Sequence, residues 1–91
     1  MALVYASAKG EIGKVTILLA MGARVVVREQ GFTPLLAAAQ FGHTEVCQLL
    51  LEKGKADIEE RHPRGDTALN IAASEGFVRE PVKNFLAEFV R

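Results

Sequence analysis

Apolar and polar positions along the chain recur with a period in the low thirties. The segment from Gly31 to Gly42 matches the segment from Gly65 to Gly76, at a constant offset of 34 residues. A fainter copy runs from Leu3 to Gly10. A period of this length is typical of a stacked array in which each unit is one small supersecondary motif.

The first half of the middle unit predicts a short helix. Thr33 can accept a hydrogen bond at a helix N-cap, and Pro34 suits the first helical position, where no N–H donor is needed. The run 35–41 is rich in alanine, which favours helix and allows close helix packing. Gly42 can end this helix in a left-handed conformation.

The second half of the unit predicts another helix, opening at His43-Thr44-Glu45 and ending at Gly54. Its apolar residues are spaced i, i+3 and i+4 and form one stripe: Val46, Leu49 and Leu50. Residues 55–66 then form a polar, turn-rich segment. A single pair of such helices cannot bury its own apolar faces, but pairs stacked side by side can.

The last unit carries two added residues, because Val82 lies six positions after Gly76 whereas Val46 lies four after Gly42. We expect Pro81 to begin its second helix. An apolar stripe then follows at helical spacing: Val82, Phe85, Leu86, Phe89 and Val90.

The run from Gly31 to Gly54 resembles one complete ankyrin repeat, with Thr33-Pro34-Leu35, Gly42-His43 and Leu49-Leu50-Leu51 in register. Residues 3–27 resemble an N-terminal capping repeat, and residues 65–91 a C-terminal one. The resemblance implies an all-α, ankyrin-type solenoid of stacked helix-turn-helix repeats with connecting β-hairpin-like loops. It predicts one domain, 1–91, with repeats at about 1–30, 31–64 and 65–91.

Three departures from the family pattern change the expected local structure. Leu36 and Asn70 stand where the family usually has histidine, so we expect the usual Thr–His hydrogen bond to be absent. Lys55 is inserted after Gly54. The two connecting hairpins also differ in length and should differ in shape.

The family resemblance implies a protein–protein interaction module of scaffold, adaptor or inhibitor type that binds a partner protein. Its contacts would come from hairpin tips and the ends of the first helices, on a concave side. Carried over to this chain, the partner-binding residues are Glu29, Gln30, Phe32, Gln40, Phe41, Arg64, Asp66, Ser74 and Glu75. Phe32 and Phe41 are candidate aromatic anchors; the alternative is that they pack against a neighbouring hairpin or helix.

A second function remains open, namely a self-assembling structural unit that uses apolar ends and Val25–Val27. The three β-branched valines favour an extended strand. This strand either packs on its neighbour or exposes an edge that can contact a partner or another copy of the chain. The ends carry Leu3, Val4 and Tyr5, and Phe85, Phe89 and Val90. We expect these end residues to be core, because polar residues accompany them.

Composition narrows the classes of partner. The chain has 91 residues, and its 11 Lys plus Arg balance 11 Asp plus Glu. With no net charge, we expect no overall electrostatic attraction to nucleic acid or to an anionic membrane. No apolar run approaches the roughly 20 residues of a membrane span. The single cysteine and the lack of a basic, signal-like start predict a cytoplasmic or nuclear protein. We expect a monomer, with weak self-association left open, and the cap-like ends favour a complete array.

No constellation in the sequence predicts an enzyme, a metal site or a cofactor. Cys47 and His43 form an i, i+4 pair without a third member, and with His62 they lack metal-ligand spacing. Cys47 is better explained as a small buried apolar residue. The tripeptide Arg64-Gly65-Asp66 is a cell-adhesion signature, but its glycine is already required as a turn residue of the repeat, so a solvated turn is the better explanation.

Overall fold

The computed structural model describes residues 2–74 and 80–90. Within these ranges it contains six helices and no β-strand: α1 Ala2–Lys9, α2 Ile12–Ala20, α3 Pro34–Gln40, α4 Thr44–Glu52, α5 Ala68–Ala73 and α6 Glu80–Phe89. The predicted site residue Glu75 and Gly76, where the matching segment of the last repeat ends, lie outside the described residues.

The helices form three antiparallel pairs that stack in series. α1 packs on α2, α3 on α4, and α5 on α6. The first helices α1, α3 and α5 contact one another in one row, and α2, α4 and α6 contact one another in a second row. The all-α stack of helix-turn-helix units is therefore confirmed, and it measures 32 × 23 × 23 Å.

Two threonines begin the first helices of repeats 2 and 3. Thr33 has extended backbone angles, φ −81° and ψ 167°, and its hydroxyl accepts a hydrogen bond from the Leu36 amide at 3.2 Å. Thr67 does the same for the Asn70 amide at 3.2 Å. Each satisfies an N–H that has no partner within its helix, and Pro34 occupies the first position of α3 as predicted.

A left-handed glycine ends α3, as predicted. Gly42 has φ 75°, and the His43 amide donates back to the Ala38 carbonyl at 2.9 Å. This pattern is a Schellman motif, which satisfies carbonyls left open at the helix end. The helix α4 ends just before Gly54, as predicted, and the residue that takes the left-handed conformation beyond it is Lys55, with φ 59°. A Cβ on Gly54 would lie 2.8 Å from a methyl carbon of Val25, so this glycine is required for close packing.

The core lies between the two rows of helices. Its large side chains with no measurable exposure come from both rows and from all three repeats: Leu35, Leu36, Leu50, Leu86, Val15, Val46 and Val82. The apolar stripes predicted for α4 and α6 supply Val46, Leu50, Val82 and Leu86. The helical period therefore identified these four buried positions, while Leu49 and Phe85 of the same stripes are half-buried.

The ends of the stack are only partly core. Leu3 and Val4 are buried, as expected, but Tyr5 is 60 % exposed. Phe89 and Val90 are 40 % and 44 % exposed, and they lie at the last residue of α6 and just after it. The expectation that all end residues are buried was wrong for these three.

The connection between repeats 1 and 2 ends in a tight hairpin tip. The amides and carbonyls of Glu29 and Phe32 exchange two hydrogen bonds, at 2.9 and 3.0 Å. Gln30 and Gly31 between them have φ 55° and 89°, as a two-residue type I′ turn requires. The strand predicted at Val25–Val27 does not form; Val25 packs on the core and Val26 is 70 % exposed.

The second connection forms a wider hairpin. An antiparallel bridge pairs Arg61 with Thr67, and the His62 amide donates to the Asp66 carbonyl at 2.8 Å. Gly65 turns the loop with φ 97°. The predicted difference between the two hairpins is therefore confirmed. None of the helices in the described ranges combines the length and apolar character needed to cross a lipid bilayer.

Candidate functional site

One arginine joins the two hairpins. The Arg28 guanidinium donates to the Gly31 carbonyl at 2.7 Å, within its own hairpin, and to the Arg61 carbonyl at 2.8 Å, in the next one. Because the guanidinium is planar and has several fixed donors, it holds both backbone segments in one relative position. The hairpins therefore form a continuous surface.

A second link between the hairpins involves a half-buried carboxylate. The Thr33 hydroxyl donates a hydrogen bond to Glu60 of the second hairpin. Burial raises the pKa of Glu60, and the nearby Asp57 charge acts in the same direction. The Thr33 hydrogen bond and the Arg28 charge lower this pKa and offset part of the rise.

Ring packing closes the contact between the hairpins. The rings of Phe32 and His62 lie 4.6 Å apart with a 57° interplanar angle, a favourable tilted arrangement. The tip at Gly31 packs so closely that an added Cβ would lie 2.9 Å from Pro63 and 3.0 Å from the His62 Nε2 atom. The alternative interpretation of Phe32, that it packs on the adjacent hairpin, is therefore confirmed.

A groove of about 280 Å³ opens beside this contact, bounded by the hairpins, the end of α3 and one side of α5. Residues from repeats 2 and 3 line it: Phe32, Gln40, His62, Arg64, Asp66, Asn70, Ile71 and Ser74. Both charge signs are present, through Arg64 and Asp66. The lining thus combines aromatic and aliphatic surface with amide, hydroxyl and charged groups.

The structure brings five of the nine predicted partner-binding residues together in the groove: Phe32, Gln40, Arg64, Asp66 and Ser74. Glu29 and Gln30 lie at the first hairpin tip, where Gln30 is exposed and Glu29 half-buried. Phe41 follows α3 and is 54 % exposed, and it does not line the groove. Phe41 thus presents an aromatic surface of its own.

Two groove residues follow the 34-residue offset between repeats. Gln40 ends α3, and Ser74 follows α5 at the equivalent position, where its hydroxyl donates to the Ile71 carbonyl at 2.8 Å. Phe32 and Asp66 are a second equivalent pair. The 34-residue offset between repeats therefore predicts from the sequence that these residues occupy equivalent positions.

Sequence reasoning missed His62, Asn70 and Ile71 as groove residues. Asn70 is exposed because repeat 3 has no following unit within the described residues, whereas Leu36 at the equivalent position is fully buried. The Thr67 hydroxyl donates to the Asn70 side-chain oxygen. The histidine of the family pattern is absent, as predicted, and Asn70 partners the threonine hydroxyl in its place. His62 enters the groove through its contact with Phe32 of the other hairpin, and sequence spacing does not show that contact.

The residues considered for chemistry have structural roles. The His43 Nε2 atom lies 3.0 Å from the Ala8 carbonyl and links repeats 1 and 2. Cys47 is fully buried, and burial raises the pKa of its thiol to about 12, far from the thiolate that a nucleophile or ligand needs. Among the residues that the structure describes, no group of three or more His, Cys, Asp or Glu side chains could hold a metal ion.

Threonine-capped helix pairs, left-handed glycine stops and projecting hairpins in series define a helical repeat solenoid, a class in which each unit contacts only its neighbours. A family profile described as ankyrin repeats in three copies matches residues 3–89. The chain belongs to the ankyrin repeat family, whose repeats are non-catalytic modules that generally mediate protein–protein interaction.

The chain is similar to segments of larger curated proteins. It is 44 % identical over 87 residues to a probable E3 ubiquitin-protein ligase, XBOS33, of Oryza sativa subsp. japonica, covering 94 % of this chain and 16 % of that protein. It is 37 % identical over 83 residues to the NAD-capped RNA hydrolase NUDT12 of Homo sapiens, covering 89 % and 17 %. It is 34 % identical over 82 residues to protein phosphatase 1 regulatory subunit 12A of Mus musculus, covering 87 % and 8 %. The chain thus spans less than a fifth of the length of these relatives.

Proposed function

We propose that this chain binds a partner protein through the groove between its hairpins and through the adjoining side chains of Gln30 and Phe41. The observation that carries the proposal is the convergence of five predicted contact residues on one groove of about 280 Å³. Family membership supports binding of a protein in general, and the groove supports the location.

The composition of the groove favours an extended peptide segment with mixed side chains. Phe32 and Ile71 offer apolar surface for an anchor side chain, and Gln40 and Asn70 offer amides for a peptide backbone. Arg64 and Asp66 carry opposite charges, so neither a strongly acidic nor a strongly basic segment is favoured over its opposite.

Rigidity of the hairpins supports tight binding. The Arg28 bridge, the Thr33–Glu60 hydrogen bond and the Phe32–His62 contact fix the groove before a partner arrives. A preformed surface loses little conformational entropy on association. The surface of three repeats is small, and we expect an interface near the standard size of about 800 Å² per partner.

The proposal is tested with a matched pair of glutamine variants. Gln40→Ala removes an amide from the groove, and Gln48→Ala removes one from the exposed outer side of α4. Proteins captured from lysate by the parent chain are identified by mass spectrometry, and their affinities for the variants are measured by titration calorimetry. We expect Gln40→Ala and Arg64→Ala each to weaken binding by about 1–2 kcal/mol, and Gln48→Ala to have no effect.

Variants at Phe41 and Gln30 define how far the contact extends. Loss of affinity on Phe41→Ala or Gln30→Ala would extend the interface beyond the groove to the helix end or the hairpin tip. Equal affinity of the parent, Gln40→Ala and Arg64→Ala for a captured partner would show that the groove is not the binding site.

A further inference from the structure

An open groove follows the seam between α2 and α4, in the row of second helices. It consists of three adjoining stretches of about 280, 210 and 270 Å³. Ile12 and Glu45 line the first and second stretches, and Leu49 and Lys53 line the second and third. The groove is therefore continuous along both helices, and both of its walls are formed by repeats 1 and 2 themselves.

Aliphatic side chains from both helices line the groove. Ile12 is 40 % exposed, Leu19 and Leu49 are half-buried, and Ala20 is exposed. The Thr16 hydroxyl donates to the Ile12 carbonyl at 2.8 Å, so its hydrogen needs no partner from another molecule. Apolar side chains of a partner that enter the groove would release water from this aliphatic surface.

The backbone of the walls favours a helical partner over an extended one. The N–H and C=O groups along the groove are largely hydrogen-bonded within α2 and α4. An extended segment would lose water from its own backbone groups here and find few partners for them, which costs free energy. A helix satisfies these groups internally, and its side-chain ridges can enter the groove between two helices.

Charged side chains line the α4 side of the groove. Glu45 and Glu52 carry negative charges and Lys53 a positive one, and all three are exposed. Glu52 is the last residue of α4, where the helix dipole disfavours a negative charge, and no described residue forms an ion pair with it. Helix stability therefore does not account for this carboxylate, whereas a cation on a bound partner would stabilise it.

We propose that this groove binds a short amphipathic helix of a partner protein, with aliphatic side chains over Leu49 and a lysine or arginine facing Glu52. The lining residues of α4 and its start run from 43 to 53, which is about 15 Å, so about three turns of the partner helix make contact. With two carboxylates against one ammonium group in the groove, a basic helix is favoured over an acidic one.

This groove is separate from the hairpin groove of the proposed function. Among the residues that the structure describes, the two grooves share no lining residue. The hairpin groove is bounded by the hairpins, α3 and α5, while this one lies between α2 and α4. The chain can therefore hold two different protein segments at once.

Selection from a displayed library of helical peptides, about 15 residues long and randomised along one face, tests the proposal. The full chain is the bait. The selected peptides are synthesised, and their dissociation constants for the chain are measured by fluorescence anisotropy. We expect the selected peptides to carry aliphatic residues at helical spacing with lysine or arginine beside them.

Two isoleucines of α2 provide a matched pair of variants. Ile12→Ser removes apolar surface from the groove and should raise the dissociation constant about fivefold or more. Ile17→Ser makes the same change at an exposed position of the same helix outside the groove, and it should leave the dissociation constant unchanged. Gln40→Ala, in the hairpin groove, should also leave it unchanged, and circular dichroism verifies that each variant is folded.

A charge reversal tests the basic character of the bound helix. Glu52→Lys should raise the dissociation constant about fivefold or more, and Glu59→Lys, at an exposed position outside the groove, should not. Changing one basic residue of the peptide to glutamate should restore binding to the Glu52→Lys variant to within about threefold of the original value. A selection that yields no peptide weakened by Ile12→Ser overturns the proposal, as do selected peptides that are acidic or bind the Glu52→Lys variant as tightly as the parent.

Discussion

At the scale of single residues, the surroundings of Glu60 combine effects that disfavour and effects that favour a charged carboxylate. It is half-buried, accepts the Thr33 hydroxyl, and lies near the Arg28 guanidinium, which itself joins the two hairpins. Burial removes part of the solvation of the charged carboxylate. The Thr33 hydrogen bond and the Arg28 charge stabilise the charged form and offset part of this loss. Glu60 thus links the two hairpins, and its charged form lowers the free energy of unfolding to an extent that depends on pH.

The raised pKa of Glu60 gives a pH dependence of known sign. Because the folded state binds this proton more tightly, its contribution to the free energy of unfolding falls as pH rises from the unfolded value, about 4.3, through the folded value. Glu60→Gln removes the titration but keeps an oxygen that accepts from Thr33. Relative to the parent, this variant should be more stable at about pH 7 than at about pH 4, as measured by urea unfolding.

Glu59→Gln is the matched control, since Glu59 is the exposed neighbour in the same hairpin. It should leave the pH dependence of unfolding as it is in the parent. Identical pH profiles for both glutamine variants would contradict the assigned role of Glu60.

At the scale of elements, the turn after α1 and the start of α4 depend on each other. Gly10 has φ 71°, and a Cβ there would lie 2.5 Å from the His43 Nδ1 atom, while the same ring reaches the Ala8 carbonyl. One imidazole therefore fixes the spacing of two neighbouring repeats. It does so only because the turn beside it lacks a side chain.

Gly10→Ala should lower the free energy of unfolding by about 2 kcal/mol or more, because it adds a left-handed alanine and a clash with His43. Gly13→Ala is the natural comparison, since Gly13 lies in α2 with nothing within 4 Å of an added Cβ. Helix propensity predicts that this second variant gains about 0.5 kcal/mol. Urea denaturation followed by circular dichroism measures both, and two changes of the same sign would refute the assignment.

Sequence reasoning recovered most elements because their signals are local. Thr33 and Pro34 at a helix start, Gly42 at a stop and the Val46–Leu50 stripe each act over a few residues. It went wrong where burial depends on a neighbour in space, as for Tyr5, and it did not foresee the left-handed residue Lys55 that follows the end of α4. The groove was recovered in part, because repeat register predicts Gln40 and Ser74, whereas His62 depends on contact across hairpins.

At the scale of the whole molecule, the three repeats share one core. Leu35, Val15 and Leu86, from three different repeats, belong to the same buried cluster. Contacts between repeats join both rows of helices, so opening one repeat exposes apolar surface of the next. We therefore expect the repeats to unfold together.

Cys47 reports on this cooperativity, since it is fully buried in the middle repeat and burial raises its thiol pKa to about 12. A thiol reagent should modify it only through global opening, so the opening free energy from labelling rates should equal that from urea unfolding. Labelling that is tenfold or more faster than global opening allows would show that the middle repeat opens by itself.

The unequal hairpins have a consequence for how such a protein can acquire new specificities. The tip at Gln30–Gly31 has two left-handed residues and packs on the second hairpin, so few amino acids are tolerated there. The wider loop holds its shape through its own backbone hydrogen bonds, while Pro63 and Arg64 remain exposed. Diversification, by evolution or in a selection library, should therefore succeed at residue 64 long before it succeeds at the narrower turn.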